Sequence, residues 1–300
     1  MNRVKAPVEP MQSVRPDAAV AGYSRKARIL LRRIAGNLAR WIKVLLSPRR
    51  TELSGPSPTA IALIVLVLIA DVAAMFLLDS PAIAWASRLP AWFNGAFEQI
   101  TDFGLGAWFL VPFGFVVLCL AALTSSALPR LTQGVLAALA ARFGFLFLAI
   151  GVPGLFVTIV KRLIGRARPF VGGRDDPFAY LPLAWRPEYA SMPSGHATNA
   201  AAAAIAIGAV WPRSRVVMWL YTLLIMFSRV VVMAHHPSDV IAGALVGVIG
   251  ASLVRRWFAA RRLVFSASDL RAYAGPSLRR IGIAIRQAAF FGKTATFATD

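Results

Sequence analysis

The chain has 300 residues, of which 58% are hydrophobic and 15% are charged, and its mean hydropathy is +0.64. Soluble domains are about half apolar and about a quarter charged, so this composition excludes an ordinary soluble protein and indicates a membrane protein. The formal net charge is +20, but no nucleic-acid-binding motif is present and the basic excess lies in segments that flank apolar runs. We therefore expect no nucleic-acid partner.

Residues 1–58 form a basic N-terminal segment, with 12 Lys/Arg against three acids. Residues 1–22 are expected to be disordered. Over residues 24–46, apolar side chains recur at helical spacing among arginines and lysines, which predicts an amphipathic helix on an anionic membrane surface. The alternative is that this charge acts only as a topology signal. Residues 258–300 are predicted to be a second basic tail, with a weaker amphipathic pattern over residues 276–291.

Between the two ends, residues 59–257 contain six apolar runs, and about 20 apolar residues are enough to cross a bilayer. The fourth run is short and rich in alanine, as suits a helix packed tightly among others. The predicted fold is therefore all-α and polytopic, with six transmembrane helices. The predicted spans are 59–78, 107–128, 142–160, 196–211, 216–232 and 239–254.

The distribution of charge predicts the orientation of these spans. Basic flanks stay in the cytoplasm, and an even number of spans places both termini there. The loop 161–195 then lies outside, although it holds six Lys/Arg against three acids. This breach of the rule is explained if the cations of the loop bind phosphate.

Three short polar motifs interrupt the apolar sequence and contain all three histidines of the chain. Ionisable residues at membrane depth are rare and costly, so their joint occurrence at the ends of successive spans indicates function. By the predicted topology the motifs converge on the outer interface. They are Lys161 with Arg168 and Pro169; Pro193, Ser194, Gly195 and His196; and Ser228 and Arg229 with His235 and Asp239.

The local chemistry of these motifs suits a phosphate group. Ser194 and Gly195 precede a helix, whose free N–H groups and partial positive charge favour an anion. His235 and Asp239 are four residues apart, so they can share one face of a helix. His236 is expected to be a bystander beside them. The motifs need no metal ion, and no cofactor is expected.

On these residues the chain resembles the type 2 phosphatidic acid phosphatase superfamily, over about residues 140–255. The resemblance implies a bacterial inner-membrane enzyme that hydrolyses a lipid phosphate or pyrophosphate at a periplasmic active site. Its implied substrates are undecaprenyl pyrophosphate, phosphatidylglycerol phosphate, phosphatidic acid and the 1-phosphate of lipid A. The oligomeric state is left open.

The resemblance also implies a role for each residue. His235 is the nucleophile, Asp239 orients its imidazole, and His196 protonates the leaving oxygen and then activates water. The phosphoryl oxygens are bound by Lys161, Arg168, Ser194, Gly195 and Arg229. Two alternatives stay open at this point: a phosphotransferase that uses the same histidine pair, and a non-catalytic lipid-binding protein.

Overall fold

The computed structural model describes the backbone of residues 16–297 and the side chains of residue 25 and residues 27–290. Residues 1–15 and 298–300 of the two predicted basic ends lie outside the described residues. The described part contains only helices, turns and two isolated β-bridges, so the predicted all-α class is confirmed. The α-helices are α1 (Pro16–Leu46), α2 (Pro58–Leu77), α3 (Asp79–Ala86), α4 (Ala91–Asp102), α5 (Ala107–Leu123), α6 (Arg130–Ile164), α7 (Gly195–Val210), α8 (Arg215–Val231), α9 (Pro237–Ala260) and α10 (Leu278–Phe297).

Five helical stretches of the described chain are long and apolar enough to cross a membrane. The predicted fourth span is α7, whose 16 residues reach about 24 Å at 1.5 Å per residue, less than the apolar thickness of a bilayer. Its alanines are buried among neighbouring helices, so α7 does not itself face lipid along its length. The count of six spans therefore depends on α7 and stays a prediction. The five stretches are Pro58–Leu77, Ala91–Leu123, Arg130–Ile164, Pro212–Val231 and Pro237–Ala260.

Several boundaries differ from the sequence-based expectation. Helix α6 begins at Arg130, directly after Pro129, so it extends beyond the predicted span 142–160 at both ends, and Arg142 lies inside the helix. Arg142 Nη1 donates to the Ala138 carbonyl (3.1 Å), and its Nη2 donates to the Tyr273 carbonyl of the C-terminal segment (2.7 Å). Helix α1 begins at Pro16, so the expectation of disorder over residues 1–22 is wrong for residues 16–22.

Both basic ends pack on the bundle. On α1, the Asn37 side chain is buried and donates two hydrogen bonds, to the carbonyls of Ala121 (2.7 Å) and Thr124 (2.9 Å) at the end of α5. On α10, Ala284 and Ala288 are buried against the bundle. The two predicted amphipathic segments are thus helical, and each is held to the bundle by a buried face.

The centre of the bundle is the close contact between α7 and α9. A Cβ atom on Gly243 would lie 2.4 Å from the Ser194 carbonyl oxygen, and one on Gly247 would lie 2.4 Å from that of Thr198. Thr198 Oγ1 also donates to the Gly243 carbonyl (2.9 Å). Small residues at four-residue spacing allow this approach, which fixes the start of α7 against α9.

We expect Gly247→Ala to lower the thermal unfolding midpoint of the protein in detergent, because its Cβ meets backbone atoms that cannot move freely. Overpacking of this kind costs about 1–3 kcal/mol. Gly144→Ala is the matched control, since a Cβ there meets nothing within 4 Å. Equal midpoints for the two variants would show that α7 and α9 are not in this close contact.

Candidate active site

The end of α6 brings the two cations of the first motif to one place. Lys161 lies in the last turn of α6, which ends at Gly165 in the left-handed conformation (φ 67°). Only glycine fits this position, because a Cβ would lie 1.8 Å from the Leu181 carbonyl oxygen. The chain then turns back, and Arg168 lies close enough to Lys161 to repel its charge.

The second motif forms the turn into α7. The Ser194 N–H donates to the Asp239 carbonyl (2.8 Å), while the buried Ser194 Oγ has no hydrogen-bond partner among the described residues. A Cβ on Gly195 would meet nothing within 4 Å, so open space adjoins the first N–H groups of the helix. His196 borders the same site, and its ring packs against Gly104. This end of α7 therefore offers unused donors to an anion.

The third motif joins α8 to α9. The N–H groups of Ala234 and His235 both approach the Arg229 carbonyl (3.1 and 3.3 Å), so the connecting loop folds back on Arg229. Arg229 Nη1 donates to Thr101 Oγ1 (2.7 Å), but its buried Nε has no partner, and no described carboxylate forms an ion pair with it. Asp102 attracts Arg229 only from beyond ion-pair distance, and a buried guanidinium without a carboxylate in contact is costly, which suits a site that receives an anionic ligand.

The imidazole of His235 is positioned by contacts at its Nδ1 atom. Asp239 Oδ2 lies 3.6 Å from His235 Nδ1, and Ser191 Oγ, which donates to the same oxygen (2.5 Å), lies 3.4 Å from that nitrogen. Burial lowers the pKa of His235 to about 4, against the raising effect of Asp239. The imidazole is therefore neutral at pH 7, and its Nε2 has no hydrogen bond to a described residue.

The cations and histidines of all three motifs lie close enough to interact electrostatically. The charges of Arg229, Arg168 and Lys161 all reach the His196 ring, which also interacts with His235. The structure thus brings together every residue that the sequence analysis selected. No group of three His, Cys, Asp or Glu side chains in the described part is placed to share a metal ion. The arrangement can bind a tetrahedral anion between a nucleophile and a proton donor.

The sequence analysis missed two residues, Arg166 and Asp79, which fix the carboxylate of Asp239. Arg166 is fully buried; its Nη1 lies 2.7 Å from Asp239 Oδ1 and its Nη2 lies 2.6 Å from Asp79 Oδ2. Asp79 also accepts from the Ser238 N–H (3.0 Å) and hydroxyl (2.6 Å). Burial acts to lower the pKa of Arg166, but Asp239 and Asp79 outweigh it and raise that pKa above its ordinary value.

A signal for Arg166 was present in the sequence, because it is one of two further cations, with Arg162, between Lys161 and Arg168. Nothing local identified its partners, since Asp79 is 87 residues away.

His236 is not exposed to a ligand, although the sequence placed it beside the nucleophile. It is fully buried, and its Nε2 lies 3.0 Å from Asp175 Oδ1 in the loop between α6 and α7. The backbone N–H of His236 donates to Asp239 Oδ2 (2.9 Å). Burial lowers the pKa of His236, but Asp239 and Asp175 raise it overall. His236 therefore connects that loop to the carboxylate of Asp239.

The chain is similar to known phosphatases. The PAP2 superfamily matches residues 142–263. Lipid A 1-phosphatase of Rhizobium johnstonii is 31% identical over 219 residues, which are 72% of this chain and 88% of that protein. Lipid A 1-phosphatase of Rhizobium etli is 33% identical over 175 residues, which are 58% and 74% of the two chains. A solved transmembrane PAP2 type phosphatidylglycerolphosphate phosphatase from Bacillus subtilis matches with a TM-score of 0.44 and 23% identity, over 65% of this chain and 93% of that one.

We expect Arg166→Gln to destabilise the protein by about 3–5 kcal/mol, because removal of one partner leaves buried carboxylates without compensation. Arg186→Gln, an exposed cation in the same loop, is the matched control and should change stability by less than about 0.5 kcal/mol. Denaturant unfolding in mixed micelles measures both. A loss for Arg166→Gln no larger than that of the control would refute the buried ion pairs.

Proposed function

This chain belongs to the PAP2 superfamily, and on that premise we propose that it hydrolyses a lipid phosphate or pyrophosphate through a phosphohistidine, without a metal ion. The observation that carries the proposal is the buried Arg229 without an ion pair, beside a neutral His235. Lys161 and Arg168 add positive charge at the same place. Such cations neutralise phosphoryl oxygens more strongly in the transition state than in the ground state.

In the first step, His235 Nε2 attacks phosphorus and the bond from phosphorus to the leaving oxygen breaks. The anionic substrate offsets the charges of the three cations and favours protonated His196, which then donates its proton to that oxygen and leaves the phosphoryl group on His235. Asp239 stabilises the positive charge on the imidazole, as its position near Nδ1 allows. Ser194 and the Gly195 N–H complete the donors to the phosphoryl oxygens.

In the second step, His196 takes a proton from water, and the resulting oxygen attacks phosphorus. The bond between nitrogen and phosphorus breaks, inorganic phosphate leaves, and His235 returns to its neutral form. The three cations remain in place throughout, so the positive charge that a divalent metal would supply is already present. This supply of charge supports metal independence.

The lipid A 1-phosphatases among the relatives make a lipid that bears a sugar 1-phosphate our first candidate substrate. Undecaprenyl pyrophosphate, phosphatidylglycerol phosphate and phosphatidic acid are the other candidates. We place the enzyme in the bacterial inner membrane, with both termini cytoplasmic and the active site periplasmic. The basic ends of the chain support this orientation.

Phosphate release by the purified protein across these four lipids tests the function. We expect activity to persist in excess chelator, because Lys161, Arg168 and Arg229 supply the charge, and we expect vanadate to inhibit as an analogue of five-coordinate phosphorus. Activity that is lost in chelator and restored by Mg²⁺ would contradict the mechanism. A lipid alcohol added as acceptor separates hydrolysis from phosphotransfer, since only the latter forms a new phosphorylated lipid.

Variants of the histidine pair test the roles. His235→Ala should remove both turnover and acid-labile phosphoenzyme, with a loss on the order of 10⁴-fold or more, since it deletes the nucleophile. Asp239→Asn should cost on the order of 10³-fold or more by releasing the imidazole. His196→Ala should accumulate phosphoenzyme on substrates with good leaving groups.

Arg174→Gln, an exposed cation of the loop between α6 and α7, is the control for these variants and should keep normal turnover. The nucleophile assignment is wrong if His235→Ala still forms phosphoenzyme.

Labelling tests the orientation. With Cys119→Ser as background, Arg174→Cys should react with an impermeant maleimide in intact spheroplasts, because the predicted topology exposes its loop to the periplasm. Ala274→Cys, in the C-terminal segment, should react only after lysis. The reverse pattern would place the active site in the cytoplasm.

A further inference from the structure

A second basic site lies between α1 and the turn from α5 to α6. A cavity of about 410 Å³ is lined there by Arg32, Arg33, Gly36 and Arg40 of α1 together with Thr124, Ser125 and Ser126 of the turn. We call it the basic pocket. No acidic residue among the described side chains lines it, so three arginines face the hydroxyl-bearing residues Thr124, Ser125 and Ser126.

The basic pocket is remote from the phosphatase site. The start of α5 adjoins α7 beside His196 and Asn199, through Gly104 and Gly106. The pocket lies at the other end of α5, which has 17 residues and is therefore about 25 Å long. The two sites thus lie near opposite ends of α5, and the predicted topology places them on opposite sides of the membrane.

The arginines of the basic pocket are free to bind a ligand. Arg32 and Arg33 have no hydrogen bond or ion pair with any residue that the structure describes, and Arg33 is half-buried. Arg40 contacts the side-chain oxygen of Asn37, whose amide nitrogen is anchored to the end of α5. The third guanidinium is therefore exposed but positioned by its contact with the buried Asn37 side chain.

Gly36 provides the open floor of the pocket. It lies one helical turn from both Arg32 and Arg40, so these residues share a face of α1. A Cβ at Gly36 would meet nothing within 4 Å. A cavity of this size accommodates a phospholipid headgroup, and a guanidinium binds phosphate oxygens with two parallel hydrogen bonds.

We propose that the basic pocket binds the phosphate group of an anionic phospholipid in the leaflet opposite the phosphatase site. The bound headgroup connects α1 to the turn between α5 and α6. The pocket thereby selects a discrete lipid, which a positively charged helix surface alone does not do. The inference does not depend on phosphatase activity, because the binding residues take no part in that site.

The test uses the full chain in detergent and measures its affinity for dioctanoyl phosphatidylglycerol, dioctanoyl phosphatidylcholine and inorganic phosphate. The pocket variant is Arg32→Gln/Arg33→Gln/Arg40→Gln. Its control, Arg25→Gln/Lys43→Gln/Arg49→Gln, removes the same charge from exposed positions that do not line the pocket. Gly36→Leu fills the cavity without any change of charge. The phosphatase site is the same in all of them, so differences in affinity report the basic pocket.

We expect the pocket variant to bind phosphatidylglycerol at least about ten-fold more weakly than the natural chain, since each basic side chain contributes several-fold near an anionic lipid. We expect the same loss for Gly36→Leu, because its side chain fills the cavity. The charge-matched control should stay within about two-fold, and phosphatidylcholine should bind weakly because its choline cancels the phosphate charge. Equal affinity for inorganic phosphate, with the same dependence on the variants, would support the site and identify free phosphate as its ligand. Unchanged binding by Gly36→Leu, or an equal loss in the control, would overturn the proposal.

Discussion

The fully buried guanidinium of Arg166 is the interaction on which the arrangement of the active site depends. It forms ion pairs with Asp79 after α2 and with Asp239 on α9. A buried carboxylate without a partner is strongly unfavourable, and the shared Arg166 guanidinium compensates the negative charge of both Asp79 and Asp239. Because Asp239 also receives bonds from Ser191 and His236, its Oδ2 is fixed where His235 Nδ1 approaches it. The position of the His235 imidazole therefore depends on a contact between the loop after α6 and the start of α3.

A second constraint is the close approach of α7 and α9. Gly243 and Gly247 let the backbone of α9 touch the carbonyls of Ser194 and Thr198. The Ser194 N–H is then used by the Asp239 carbonyl, while its hydroxyl remains without a partner. The same packing that stabilises the bundle thus decides which donors at the start of α7 remain unused. Loss of either glycine would move the turn that contains Ser194 as well as the helices.

The two charged regions of the molecule differ in how their cations are compensated. In the active site, Arg166 is paired with carboxylates and is structural, whereas Arg229 lacks an ion pair and suits a ligand. Near the C-terminal end of the chain, arginines donate to backbone carbonyls, as Arg255 does to Leu270 and Arg261 does to Trp257 (3.1 Å). Arg32 and Arg33 have no such partner among the described residues. The basic residues that give the chain its net charge of +20 therefore differ in function.

The sequence by itself determined the all-α class and the long apolar helices, and it singled out the polar motifs that meet at the candidate site, but it did not predict α3 and α4. Apolar runs of bilayer length and histidines at fixed spacing are local signals, and they need no knowledge of distant contacts. Only the tertiary structure decided that Arg166 is paired with Asp79, that His236 is held by Asp175, and that Gly36 lies at an open cavity. The structure also showed that α6 starts at Arg130, before the predicted span, and that the Arg142 guanidinium inside this helix donates to the distant Tyr273 carbonyl. These features are contacts between residues far apart in the chain, and a linear pattern cannot specify which buried charge meets which.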